Sequence, residues 1–117
     1  MSDDTLGEHQ RKFTRLLGLL IMWIYSHGLE ATVGEAFRTQ EQAQWNAEHG
    51  LGIRHSLHCE RLAFDLNLFK DGVFQTDIEA YRPAGEYWMS LDPDCAWGGL
   101  FAEPDIDHFS LSWQGAS

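Results

Sequence analysis

Over residues 9–26 the apolar side chains Phe13, Leu16, Leu17, Leu20, Ile21 and Ile24 recur at i, i+3, i+4, i+7, i+8 and i+11, which is one face of a helix. Arg11, Lys12 and Arg15 fall off that stripe, and His27-Gly28 supplies a stop, because glycine takes the left-handed backbone that ends helices. Residues 29–37 alternate small, polar and apolar types and predict a strand weakened by Gly34. Thr39 is placed to cap a short helix over residues 40–48, with Gln42 three positions on as in a capping box and His49-Gly50 closing it. Residues 51–57 read as a loop.

Residues 61–68 have strand-like apolar content, and Lys70-Asp71-Gly72 followed by Val73-Phe74 predicts a hairpin over residues 62–74. From Thr76 the pattern is helical through Tyr87, Trp88 and Leu91, interrupted by Pro83 and ended by Asp92-Pro93. A Trp97-Gly98-Gly99 turn and an acidic loop at Glu103-Pro104-Asp105 lead to a last alternating strand over residues 106–113, with His108 on the face opposite Phe109 and Leu111. A helix first, then strands mixed with helices and a hairpin, implies an α+β fold: a small antiparallel sheet with flanking helices.

The chain has 117 residues, so a single domain over residues 1–117 is expected, since two cores would each be too small to persist. Eight basic residues against 18 acidic ones give a net charge of −10, which argues against partners held by neutralising phosphates, nucleic acid among them, and against adhesion to an anionic surface. The longest apolar run, residues 16–25, is about half of what crosses a bilayer, so no membrane insertion is expected. Cys59 and Cys95 form no CxxC pair and read as two free thiols in a cytoplasmic protein. The start, Met-Ser-Asp-Asp, lacks the basic region of a signal peptide.

With bulk charge set aside, the six histidines become the source of candidate chemistry. His58, Asp65, Asp105 and His108 all fall beside predicted strand ends or turns. Two imidazoles and a carboxylate suffice to hold a zinc ion with one position open to water, and a further carboxylate can then move the proton of a hydrolytic reaction. Asp105 lies three residues before His108. Spacing alone does not separate this arrangement from histidines satisfied by neighbouring carboxylates.

The stretch Ser56-Leu57-His58-Cys59-Glu60-Arg61-Leu62-Ala63-Phe64-Asp65 resembles the SxHxxGxAxD signature of the zinc peptidases that include D-alanyl-D-alanine carboxypeptidases and L-alanyl-D-glutamate endopeptidases, many of them phage endolysins. Asp105-Ile106-Asp107-His108 is similar to that family's second motif, an acidic residue followed three positions later by the last metal ligand. Phe37-Arg38-Thr39 resembles an upstream segment whose arginine faces the active site; read without the resemblance, it is an exposed arginine at a helix start. The resemblance implies a fold of the hedgehog/D,D-peptidase type, His58, Asp65 and His108 as zinc ligands, Asp105 as catalytic base, and Arg38 as a catalytic residue binding substrate or the oxyanion. The sequence departs from the signature at Arg61, where the family has glycine, and at Asp105, where it has the longer glutamate.

The function so implied is hydrolysis of an amide bond in the peptide stem of bacterial peptidoglycan by a monomeric, phage-type endopeptidase that is released at lysis or carried in a particle. A D,D-carboxypeptidase or dipeptidase of cell-wall metabolism is the alternative within the same chemistry, and a noncatalytic metal-binding phage structural protein is the alternative outside it. Among the other histidines, His55 reads as an exposed loop residue that could line the cleft, and His9, His27 and His49 read as peripheral, the last two at helix ends. Trp88, Trp97 and Trp113 read as core residues.

Overall fold

The computed structural model describes residues 5–50 and 57–117. Helix α1 spans Leu6–Ser26 and starts three residues earlier than the apolar stripe suggests, because Thr5 and Glu8 form a capping box: the Thr5 hydroxyl accepts the Glu8 amide at 3.2 Å while the Glu8 carboxylate reaches back to the Thr5 amide. Helix α2 spans Gln40–Glu48 as expected. Its cap is half a box, since Thr39 accepts the Gln42 amide at 3.1 Å but the Gln42 side chain turns to Asn46. Both helices end on the same device. His27 and His49 stack on Trp23 and Trp45 one turn back, set Nδ1 against the carbonyl of that tryptophan at 2.8 and 2.7 Å, and are followed by Gly28 and Gly50 at positive φ.

Strand β1 is shorter than the expected 29–37, at Glu30–Val33, and pairs antiparallel with β2, Ala63–Lys70. The predicted turn carries β2 into β3, Val73–Phe74, with Asp71 and Gly72 both at positive φ, as a two-residue hairpin loop requires. Helix α3, Ile78–Leu91, begins at the Asp77 cap rather than at Thr76, and Pro83 does not interrupt it. The backbone donor missing at Pro83 is outweighed by burial of Tyr81, Ala84 and Trp88 on the helix's inner face. Where the sequence suggested only a turn, Cys95–Trp97 forms a fourth strand, β4, followed by a 3-10 turn at Gly98–Leu100. The last strand, β5, is His108–Leu111, shorter than the expected 106–113.

The sheet runs in the order β1-β2-β5-β4, all pairs antiparallel, with β3 attached to β2, so the fold is α+β, with three helices among the described residues. One apolar cluster joins Phe13, Leu16, Leu17, Leu20 and Ile24 of α1 to Tyr81 and Trp88 of α3 and to Leu66, Leu68, Phe109 and Leu111 of the sheet. Two large polar aromatics there are paired: Trp88 Nε1 donates to the Ala96 and Ser110 carbonyls, and the Tyr81 hydroxyl accepts the Leu68 amide and donates to the Gln75 carbonyl. His9 is a correction, because it is buried at 3 % exposure rather than peripheral, with Nε2 2.9 Å from the Ser112 carbonyl and its ring on Trp113. Trp88 and Trp97 are core residues and Trp113 packs half-buried against that core. Cys59 and Cys95 are unbonded to each other. Among the described residues no helix is long and apolar enough to cross a membrane.

Gly85 is where α3 meets β4. A Cβ built there would lie 2.2 Å from the Trp97 indole, which is itself fixed by its Nε1 donating to the Ile106 carbonyl at 2.8 Å. Alanine ordinarily favours a helix by about 1 kcal/mol over glycine, but here overpacking costs about 1–3 kcal/mol and decides the sign. Gly85→Ala is therefore expected to lower the thermal midpoint, measured by circular dichroism, by several degrees.

Candidate metal centre

The 3-10 turn Leu57–Glu60, three residues before β2, carries His58. Its ring is buried, with Nδ1 2.9 Å from the Ala36 carbonyl and Nε2 3.4 Å from Asp65 Oδ1. Donation from Nδ1 to that carbonyl makes Nε2 the nitrogen that faces Asp65 and, in the neutral imidazole, the one able to ligate a metal. The turn closes by Leu62 donating to the Leu57 carbonyl at 2.9 Å, which throws Arg61 to φ 56. This is the position where the resembled signature has glycine, and the left-handed backbone gives the physical reason for it. Arg61 adopts the same conformation, and its guanidinium lies over the Phe37 ring at 4.3 Å.

Asp65 is held from both sides of β2. Toward β5 it pairs with His108 in the ladder. Toward β1 the Gly34 amide donates to the Asp65 carbonyl while the Asp65 amide donates to the Glu35 carbonyl, both at 2.8 Å, so two residues oppose one as in a β-bulge. Gly34, which the sequence marked as a weak point, lies against Asp65 at this bulge: a Cβ there would approach that of Asp65 to 3.0 Å, tighter than ordinary contact.

Asp105 and His108 are the ends of one β-turn, closed by the His108 amide donating to the Asp105 carbonyl at 3.1 Å. The turn lies on Gly98, whose carbonyl accepts the Asp105 amide at 2.9 Å and whose Cβ would sit 2.1 Å from the Asp105 carbonyl oxygen. The spacing of three thus folds the Asp105 carboxylate back to 4.0 Å from His108 Nδ1, and that same nitrogen is 3.7 Å from Asp65 Oδ1.

One ligand-capable atom from each of His58, Asp65 and His108 lies within 4.8 Å of the others. Asp65 Oδ1 is buried with no hydrogen-bond partner among the described residues, between two imidazoles that face it at 3.4 and 3.7 Å. A buried carboxylate oxygen facing two nitrogen donors is a set suited to zinc, so the residues fit the ion that the sequence suggests. Burial opposes ionisation of Asp65, but contact with His108 and His58 outweighs it and holds the carboxyl down to about 2. Burial likewise disfavours a charged His58, yet Asp65, the Ala36 carbonyl and the charge of Glu35 raise its pKa above the ordinary value. The site therefore stabilises positive charge at its centre.

Of the residues singled out in the sequence, His58, Asp65, His108 and Asp105 come together. Arg38 stands one contact away: it forms an ion pair with Glu35, and Glu35 Oε1 is 3.8 Å from His58 Nδ1. Ser56 and His55 lie outside the described residues, as does the predicted loop up to Leu57. Glu35 and Asp107 carry no signal of their own in the sequence. Asp107 shares its surroundings with Asp105, and burial, the contact with Asp105 and the charges of Asp65 and Asp105 push its carboxyl up to about 7. A cleft of about 270 Å³ lined by Asn67, Gln75, Thr76, Asp105 and Asp107 among others opens beside the turn.

No protein-family model and no curated protein sequence matches the chain. Solved structures do. An L-Ala D-Glu endopeptidase, ChiX of Serratia marcescens, superposes with a TM-score of 0.67 at 20% identity, covering 91% of this chain and 85% of that one. A mutant of the vancomycin-resistance D,D-pentapeptidase VanY from a VanB-type cassette, in complex with Zn(II), superposes with a TM-score of 0.56 at 19% identity, covering 86% and 70%. At this identity the likeness is one of fold, and it agrees with the α+β architecture expected from the element order.

Proposed function

We propose that the chain is a zinc-dependent peptidase that hydrolyses an amide bond in the peptide stem of bacterial peptidoglycan. The observation that carries this reading is the convergence of His58, Asp65 and His108 to within 4.8 Å on a fold shared with two peptidases, one of them solved with zinc. His58 and His108 would supply nitrogen ligands and Asp65 an oxygen. When bound, zinc lowers the pKa of a water molecule and polarises a carbonyl.

The remaining work falls to the chain's own groups. Asp105, with a side chain 57% exposed beside His108, takes a proton from the attacking water as the oxygen adds to the scissile carbonyl carbon. The same carboxyl then gives that proton to the departing nitrogen as the C–N bond breaks. The cleft beside the Asp105–His108 turn offers amide and hydroxyl groups to the peptide on one side. The fuller overlap with the endopeptidase favours cleavage within the stem, between L-alanine and D-glutamate; the second neighbour supports D,D-carboxypeptidase action as the alternative.

The test is the metal content of purified protein together with mass analysis of the muropeptides that it releases from isolated cell walls. One zinc per chain and new amino termini at D-glutamate are the expected result. Release of terminal D-alanine would select the carboxypeptidase, and absence of both zinc and hydrolysis would overturn the reading.

A further inference from the structure

Glu35 occupies the bulge opposite Asp65, and its backbone and side chain serve different partners. Its carbonyl accepts the Asp65 amide at 2.8 Å. Its carboxylate Oε1 contacts the terminal guanidinium nitrogen of Arg38 and lies 3.8 Å from His58 Nδ1. Arg38 also donates its own amide to the His58 carbonyl at 3.1 Å, so the arginine and the histidine are tied through both main chain and side chain.

The Arg38 side chain is only 15% exposed, and its Nε is buried with no hydrogen-bond partner among the described residues. One carboxylate oxygen neutralises the charge of a guanidinium but cannot satisfy its five N–H donors. A buried donor without an acceptor is costly, and the planar fork of arginine suits the oxygens of an oxyanion, which in a peptide are those of a carboxylate. The cost is relieved if a bound molecule brings such an oxygen.

We propose that Glu35 is a positioning residue: its carboxylate, set between Arg38 and the Nδ1 side of His58, holds the guanidinium in place and leaves the remaining donors for a carboxylate of the stem peptide. This rests on the reading of His58, Asp65 and His108 as the zinc site of a peptidoglycan peptidase. Glu35 touches no substrate atom and acts through Arg38, which makes a specific demand on a double-mutant cycle.

Calorimetric binding of a synthetic stem tetrapeptide to zinc-free protein, with steady-state hydrolysis by the zinc-loaded enzyme alongside, supplies the readouts. Arg38→Ala is expected to weaken peptide binding by about 10-fold or more, the worth of a charge-assisted hydrogen bond, and Glu35→Ala by a similar factor. The double variant should bind no more weakly than Arg38→Ala alone. Glu35→Gln keeps an oxygen at the same place and should fall between wild type and Glu35→Ala, which preserves the test if the alanine variant folds poorly. Zinc stoichiometry should stay at one per chain throughout. Wild-type binding by both Glu35 variants, or losses that multiply in the double variant, would overturn the proposal. Failure of the metal-centre reading would show separately, as wild-type protein that takes up no zinc.

Discussion

Asp105→Asn is expected to reduce hydrolysis of peptidoglycan by about 10²–10⁴-fold, the usual worth of general acid–base catalysis, while one zinc per chain stays bound. The turn that presents the side chain does not depend on its charge. Its two defining bonds, from the Asp105 amide to Gly98 and from the His108 amide to Asp105, are both made by main chain. The carboxylate itself is exposed, so replacing it by an isosteric amide should move stability by no more than about 0.5 kcal/mol. Asn cannot accept and return a proton, and that is the one property removed. Turbidity loss of cell walls measures the activity, and metal analysis of the same preparation measures the zinc. Asp107→Asn is the companion variant, because its carboxyl neighbours Asp105. An active Asp105→Asn beside an inactive Asp107→Asn would move the base to Asp107.

Local patterns made several elements readable before any contact was known. The stripe from Phe13 to Ile24 identified α1, the Asp71-Gly72 pair identified the hairpin, and Thr39 with His49-Gly50 bracketed α2 to the residue. Each of these is decided within a few residues of chain. What escaped was decided at long range. Cys95–Trp97 is a strand because Leu111, Ser110 and Phe109 of β5 lie opposite it, and nothing in three residues announces that partner. Pro83 stays inside α3 because Tyr81 and Trp88 are buried on either side of it, a tertiary gain that overrides local propensity. His9 read as peripheral because its partners, Ser112 and Trp113, come from the far end of the chain.

The site divides along the same line. His58, Asp65, Asp105 and His108 were singled out by the resemblance rather than by spacing alone, and the structure brings them together through two local devices: a 3-10 turn followed by positive φ at Arg61 for the first motif, and a β-turn seated on Gly98 for the second. Arg61 illustrates what a motif conceals. Where the signature has glycine, the position asks for a left-handed backbone conformation, and arginine can also take it. Glu35 was invisible because its importance comes from a bulge across the sheet from Asp65.

His58→Ala is expected to have the largest effect of all, with zinc affinity falling by more than about 100-fold and hydrolysis falling to background. Loss of a mere supporting partner of a ligand costs about 10–100-fold, so loss of a ligand must exceed it. The loss does not depend on collapse of the surrounding chain, since the His58 carbonyl still receives the Arg38 amide and the Leu57 carbonyl still receives Leu62. The Ala36 carbonyl and Asp65 Oδ1 each lose a ring nitrogen facing them, which should destabilise the zinc-free protein by about 1–3 kcal/mol. Circular dichroism should therefore show a folded variant with a lower thermal midpoint, and calorimetric zinc titration should show the lost affinity directly. Asp105→Asn and His58→Ala then separate the two halves of the chemistry, because the first keeps the metal without a base and the second keeps the base without a metal. If His58→Ala retained both zinc and lysis, the convergence of His58, Asp65 and His108 would be an ordinary buried charge cluster, with only His108 left facing Asp65.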